Sequence, residues 1–190
     1  MSKSRNNPLI AGLRGKLGRS LVFRMVNGHM VVAVAPGKPR SAPTEQQQVQ
    51  RNRFRMATAY ASMQMEDPGS KALYDNAAKR KKYKSGQTLA LSDYLHAPVV
   101  ALVDASAYTG LVGSIVQIHA QDEMEVTAVL VELVSVEGVL VEQGSAMQWK
   151  KSNLWVYTAT VENAEFIGGS VVVKAWDRPG NSTVKEMALM

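Results

Sequence analysis

The 190-residue chain contains no cysteine. That excludes a disulfide scaffold and a cysteine-ligated zinc centre, and it fits synthesis in a reducing cytoplasm. Histidine is nearly as scarce: His29, His96 and His119 fall in three different segments, with no His-x-x-x-His spacing. A metal centre needs several converging ligands, so no metal site is predicted and these three read as isolated surface or interface side chains. Long apolar runs are also missing. Val126–Val136, among the longest, is interrupted by Glu132 and Ser135 and is too short to span a bilayer. Met1–Pro8 is polar and basic, which predicts no signal peptide. Catalytic frames are absent in the same way. Gly144-Ser145 lacks the Gly-x-Ser-x-Gly elbow, Gly12–Gly18 does not lead into Gly-Lys-Ser/Thr, and no Asp-x-Asp-x-Asp-Gly loop occurs. No enzyme activity, catalytic residue or cofactor is predicted, and no membrane partner.

Acidic residues are rare in the first half only. Residues 1–98 carry 17 Lys+Arg against 5 Asp+Glu, whereas residues 99–190 carry 5 against 11. Such asymmetry speaks of partners rather than of fold. A basic leading half is suited to grip an anionic or acidic partner, and the trailing half reads as what is held.

The local pattern changes at the same place. Residues 1–19 form a basic arm with Gly12, Gly15 and Gly18 at three-residue spacing, read as points of close backbone approach to another surface. Ser20–Val26 and His29–Ala35 are apolar, β-branched runs joined by Asn27-Gly28, which predicts a β-hairpin with a type I′ turn. Its edges could add a strand to a neighbour's sheet, or the hairpin could pack on this chain. Pro36–Pro43 has three prolines in eight residues and predicts an extended linker. Thr44 with Gln47 reads as a capping box opening a helix that carries an apolar stripe of Val49, Met56, Tyr60 and Met63 and ends at Asp67-Pro68-Gly69. A second helix is expected from Ser70, closed by Ser85-Gly86, and a third over Thr88–His96. From Val99 onward seven short strands alternate with turn signals, the pattern of an immunoglobulin-like β-sandwich. The expected fold class is α+β, with a basic arm, hairpin and helical region over 1–98 and the sandwich over 99–190.

Two resemblances accompany this reading. Val171–Asn181, with its Ala175-x-Asp177-x-x-Gly180-Asn181 segment, resembles the final hairpin of bacterial immunoglobulin-like and fibronectin-like domains, and Trp155-Val156-Tyr157 resembles an earlier strand of the same domains. Gly12, Gly15, Gly18, Arg24, Pro36, Pro39, Thr44, Gln47, Gln50, Arg51 and Phe54 together resemble the start of small structural proteins of Bacteroidetes and their phages. Members with an added immunoglobulin-like domain look like virion or prophage components. That resemblance implies a virion protein made in the host cytoplasm, acting in capsid decoration, neck or tail, with capsid, portal or tail subunits and further copies of itself as partners.

The anchoring side chains expected from the charge pattern are Arg14, Lys16, Arg19, Arg24, Arg51, Arg55, Lys79, Arg80, Lys81 and Lys82. Nucleic acid is the alternative partner, because clustered cations bind phosphates and Tyr60, Tyr74 and Tyr83 lie among them. A carbohydrate-binding sandwich is a third reading and needs Trp149, Trp155 and Trp176 exposed in a row. Asp104, Asp122, Glu123, Glu125 and Asp177 flank the strands and read as solvated loop acids.

Overall fold

The computed structural model describes residues 2–4, 12–26, 28–37, 42–150 and 152–190. The protein is mixed α+β, with three helices and three four-stranded antiparallel sheets among the described residues. Its internal contacts divide it into two compact units, Met1–Glu45 and Gln46–Met190. The change of pattern near Ala97-Pro98 is therefore not where the contacts divide: the helices belong with the C-terminal strands.

The first unit is a single sheet of β1 (Ser2–Ser4), β2 (Gly15–Leu17), β3 (Leu21–Val26) and β4 (His29–Val34), in the order β1-β4-β3-β2. The hairpin is present as β3 and β4, with Val26 opposite His29 and Gly28 at a φ of 77°. Asn27 lies outside the described residues, as do Arg5–Ala11 of the arm and Lys38–Ser41 of the linker. The arm supplies a strand to each hairpin edge, because Ser2–Ser4 pairs with Val32–Met30 and Gly15–Leu17 with Phe23–Leu21. Gly12, Gly15 and Gly18 sit at φ of 81°, 94° and 60°, and an added Cβ would meet nothing within 4 Å at any of them. All three sit in left-handed backbone, which glycine adopts without strain. Phe23, Met30, Val31 and Ala35 are the buried apolar side chains.

The second unit opens with α1 (Glu45–Glu66), α2 (Pro68–Lys81) and α3 (Gly86–Leu95). Asp67-Pro68 ends one helix and starts the next. Asp67 caps α2 by accepting from the Ser70 amide at 2.7 Å, and Pro68 takes the first turn, where a missing N–H costs nothing. Lys82 stops α2 in a left-handed C-cap at a φ of 60°. Ser85 does not close α2 as expected. It caps α3 instead, accepting from the Thr88 amide at 3.2 Å. The helical core is Ala61, Tyr74, Ala77, Ala78, Leu89 and Ala90. Ala57 and Ala61 are the buried side of α1, while Val49, Met56 and Met63 of the expected stripe are exposed. Small alanines let helices approach closely around one large ring, Tyr74, so the buried seam is narrower than the apolar pattern suggests.

The strands that follow are β5 (Val99–Asp104), β6 (Ile115–Gln121), β7 (Val126–Val134), β8 (Leu140–Ser145), β9 (Met147–Gln148), β10 (Leu154–Thr158), β11 (Ser170–Asp177) and β12 (Ser182–Ala188). All seven expected strands are there; the two-residue β9 was too short for any period to reveal. They form two sheets, ordered β5-β6-β10-β9 and β12-β11-β7-β8. Val116, Ile118, Trp155 and Tyr157 of the first share one core with Val129, Val131, Leu133, Val171 and Val173 of the second. Strict alternation produces this: β11 buries every second residue from Val171 to Asp177. Each fully buried Val, Leu or Ile contributes about 1.5–3 kcal/mol over an exposed one. No helix among the described residues is long and apolar enough to cross a membrane.

Candidate interaction surfaces

The ten expected anchor cations fall into two sets. Arg14, Lys16, Arg19 and Arg24 are exposed on the first unit, at the approach to β2, in β2, in the turn after it and in β3. The hairpin edge between them is not free for strand addition along its length. β1 and β2 occupy parts of both sides, and the outermost strands are only three residues long. Short edges are poor templates for an added strand.

The remaining six lie on the second unit. Arg51 and Arg55 are one helical turn apart on the exposed side of α1, opposite Ala57 and Ala61. Arg53 points the other way and donates to the Leu95 carbonyl at 2.7 Å. Lys79, Arg80 and Lys81 form the last turn of α2, where cations suit the helix dipole, and Lys82 is its cap. Lys81 is committed internally, donating to the carbonyls of Asp122 (3.1 Å) and Glu123. The tyrosines among these cations are not stacking platforms. Tyr74 is fully buried and donates to Asp93 Oδ2 at 2.6 Å, Tyr60 bonds Tyr74 at 3.0 Å, and Tyr83 donates to Glu123 at 2.8 Å.

These bonds belong to a polar joint that sequence reasoning missed. It fastens α2 and α3 to the β6–β7 and β11–β12 turns. Asp177 Oδ1 accepts the amides of Gly180 (2.8 Å) and Asn181 (2.6 Å). The Asn181 amide then donates to Asp177 Oδ2 at 2.7 Å and reaches the carbonyls of Asp93, Tyr94 and His96 at 3.3 Å each. One side chain thus closes a turn and brings its remaining N–H to the carbonyls at the end of α3. Arg178 pairs with Glu125 at 3.1 Å and reaches Ser70 Oγ at 3.3 Å. Asp177 is buried, not a solvated loop acid, and burial pushes its carboxyl up from the ordinary aspartate value. The Asp-x-x-Gly-Asn spacing was the available signal; its target on α3 was not.

Asp93 is fully buried at the centre of the joint. Burial, with the Asp122 carboxyl within hydrogen-bonding reach, pushes it up to about 7. Asp93 Oδ1 and Asp122 Oδ1 are both buried without a hydrogen-bond partner. Among the described residues no group of three or more His, Asp or Glu is arranged to hold a metal ion.

The tryptophans do not make a row. Trp149 is exposed, Trp176 is half-buried, and Trp155 is buried in the core between the sheets. Comparison of the chain with protein-family models, with curated proteins and with solved structures finds no match in any of the three.

Proposed function

We propose that this chain is a structural subunit of a phage particle, held by its basic N-terminal half and presenting an immunoglobulin-like sandwich. The observation that carries the reading is the chemistry of the leading sheet. Residues 1–44 hold eight Lys+Arg and no Asp or Glu, and Arg14, Lys16 and Arg19 stand exposed beside exposed Leu13 and Leu17. Cations interleaved with bare apolar side chains suit a permanent seat on an acidic protein surface more than a solvated face. Attachment then works through charge and apolar contact, since strand addition has little open edge to use. Repetition over a lattice would sum modest contacts into firm attachment.

Strand order supports the sandwich part of the proposal. With β5, β6, β7, β8, β9, β10, β11 and β12 lettered A, B, C, C′, D, E, F and G, the sheets read A-B-E-D and G-F-C-C′, an immunoglobulin-type arrangement. The polar joint gives such a domain a rigid mount.

The test is incorporation. Purified particles should contain the chain at stoichiometric level, and Arg14→Glu/Lys16→Glu/Arg19→Glu should fold yet be left out. Absence of the native chain from the particles removes the proposal. Nucleic-acid attachment is the second reading, favoured by the exposed Lys79, Arg80 and Lys82 at one helix end. It predicts DNA affinity that collapses steeply with salt.

A further inference from the structure

The two ends of the two-sheet module are unlike. One carries the helices and the polar joint. The other is built from the β5–β6 loop, the β7–β8 turn, the β10–β11 loop and the end of β12. These segments hold one another. The Asn163 amide donates to the Gly110 carbonyl at 2.7 Å, Gly113 to Ala159 at 2.8 Å, and Gly168 to Leu189 at 2.9 Å. A Cβ on Gly168 would sit 3.2 Å from Val136 Cγ2, so the β10–β11 loop also lies against the β7–β8 turn. The end is therefore one continuous surface.

It is also apolar. Leu111, Val112, Val136, Val139, Ile167 and Met190 are 59–99% exposed on it. Single exposed apolar residues are ordinary, but six on converging loops are the mark of a docking site. Glu137, Glu162 and Glu165 stand exposed among them, and residues 105–114, 134–141, 159–170 and 186–190 contain no Lys or Arg. An acidic rim repels an anionic bilayer or a nucleic acid. It selects a protein with apolar side chains set among cations.

The chain itself carries such a surface. The register of the leading sheet puts exposed Lys16, Arg24 and Val26 on one face and exposed Leu17, Met25 and Val34 on the other, with no acid among residues 1–44. One surface is acidic and apolar; the other, the face of Lys16, Arg24 and Val26, is cationic and apolar. We infer that the acid-rimmed apolar end of the two-sheet module is the docking surface for the N-terminal sheet of a second copy, so that copies join head to tail. The inference rests on the N-terminal unit being the anchor and names this chain itself as one thing it grips. Because the two patches differ, the contact is heterologous and runs on into rings or open chains.

The experiment is sedimentation velocity on the full chain from micromolar concentration upward. The native chain should form a concentration-dependent series of multimers that salt shortens. An end variant, Glu162→Lys/Glu165→Lys/Ile167→Ser, should be monomeric alone. An anchor variant, Arg14→Glu/Lys16→Glu/Arg19→Glu, should be monomeric alone. Mixed, the two should give a 1:1 heterodimer and nothing larger, because only one end and one anchor remain intact. Circular dichroism melts check that each variant folds, and the salt series on the native chain carries the test if one does not. A native chain that stays monomeric at every concentration overturns the inference and points to a foreign protein on this end. Dimers of the anchor variant alone overturn it in favour of end-to-end pairing, and a mixture that stays monomeric overturns it too. Particle incorporation is read separately, so a monomeric chain found in virions would sink this inference and leave the particle reading standing.

Discussion

At the helix-side end of the two-sheet module a network of hydrogen bonds ties helices to turns, with Asp93 Oδ1 and Asp122 Oδ1 left without a partner, while at the far end apolar side chains are left facing water. The Asn181 side chain donates to the Asp177 carboxylate and lies within 3.3 Å of the carbonyls at the end of α3, whereas Leu111, Val112 and Ile167 are exposed. The contrast teaches where the molecule spends its interactions. The first end is a joint whose partners are internal. The second keeps an apolar surface, the one inferred above to dock a second copy.

The comparison breaks most visibly at the joint. Asp177→Ala frees the amides of Gly180 and Asn181 and lets the Asn181 side chain leave α3. A loss of about 3 kcal/mol is expected in urea unfolding, since buried groups stripped of partners cost about 1–3 kcal/mol each. Near the far end Glu142 plays a smaller version of this part. Its carboxylate accepts the Thr160 amide (2.6 Å) and hydroxyl (2.7 Å) and the Val161 amide (3.3 Å), starting the β10–β11 loop. Burial alone would raise its pKa, but these bonds and the Tyr157 hydroxyl outweigh it and hold it below the usual glutamate value. Its stabilisation is present above the ordinary glutamate pKa and fades as pH falls through the lowered one. Glu142→Gln should cost about 1–2 kcal/mol at neutral pH, with the difference from the native chain closing in acid.

Asp93 has the opposite sign. Tyr74, Tyr60, Asp122, Asp177 and Arg178 face it from α2, α1 and the two turns. The folded chain keeps its proton up to about pH 7, while an unfolded chain releases it near 4. More protons are bound when folded, so stability falls as pH rises between about 4 and about 7. Asp93→Asn carries a neutral amide that can still accept from Tyr74 and donate to Asp122, and should flatten that slope in melts across the window. The smallest effect belongs to the far end. Ile167→Ser should move stability by no more than about 0.5 kcal/mol, as exposed substitutions do. A large destabilisation would mean that this side chain is part of the fold rather than a surface offered outward.

Much of this architecture was legible residue by residue. Period-two alternation placed the strands of the module, Asn-Gly placed the hairpin, and Asp177 and Asn181 stood out as turn residues, because each of these signals acts within a few residues. The charge division is equally plain in the sequence. What failed were the readings that needed a neighbour. Ser85 reads in the sequence as an ending but caps the start of α3, since a serine at a helix boundary caps whichever side offers it amides. The stripe of Val49, Met56 and Met63 promised a seam, but only Ala57 and Ala61 are covered. Asp93, fully buried, had no local mark at all: an aspartate inside a helix looks solvated until another element closes over it.

By itself, then, the order of residues determined the class of fold, the positions of its helices and strands, and the segregation of cations from acids, because propensity, alternation and turn chemistry are short-range properties of the backbone. Only the tertiary structure decided that the helices belong with the strands after them, that Asp93 is buried with the Asp122 carboxyl nearby, and that one end of the module is left apolar. Those outcomes depend on which distant loops converge, and burial, which sets both the pKa of an acid and the exposure of a valine, is a property of that convergence.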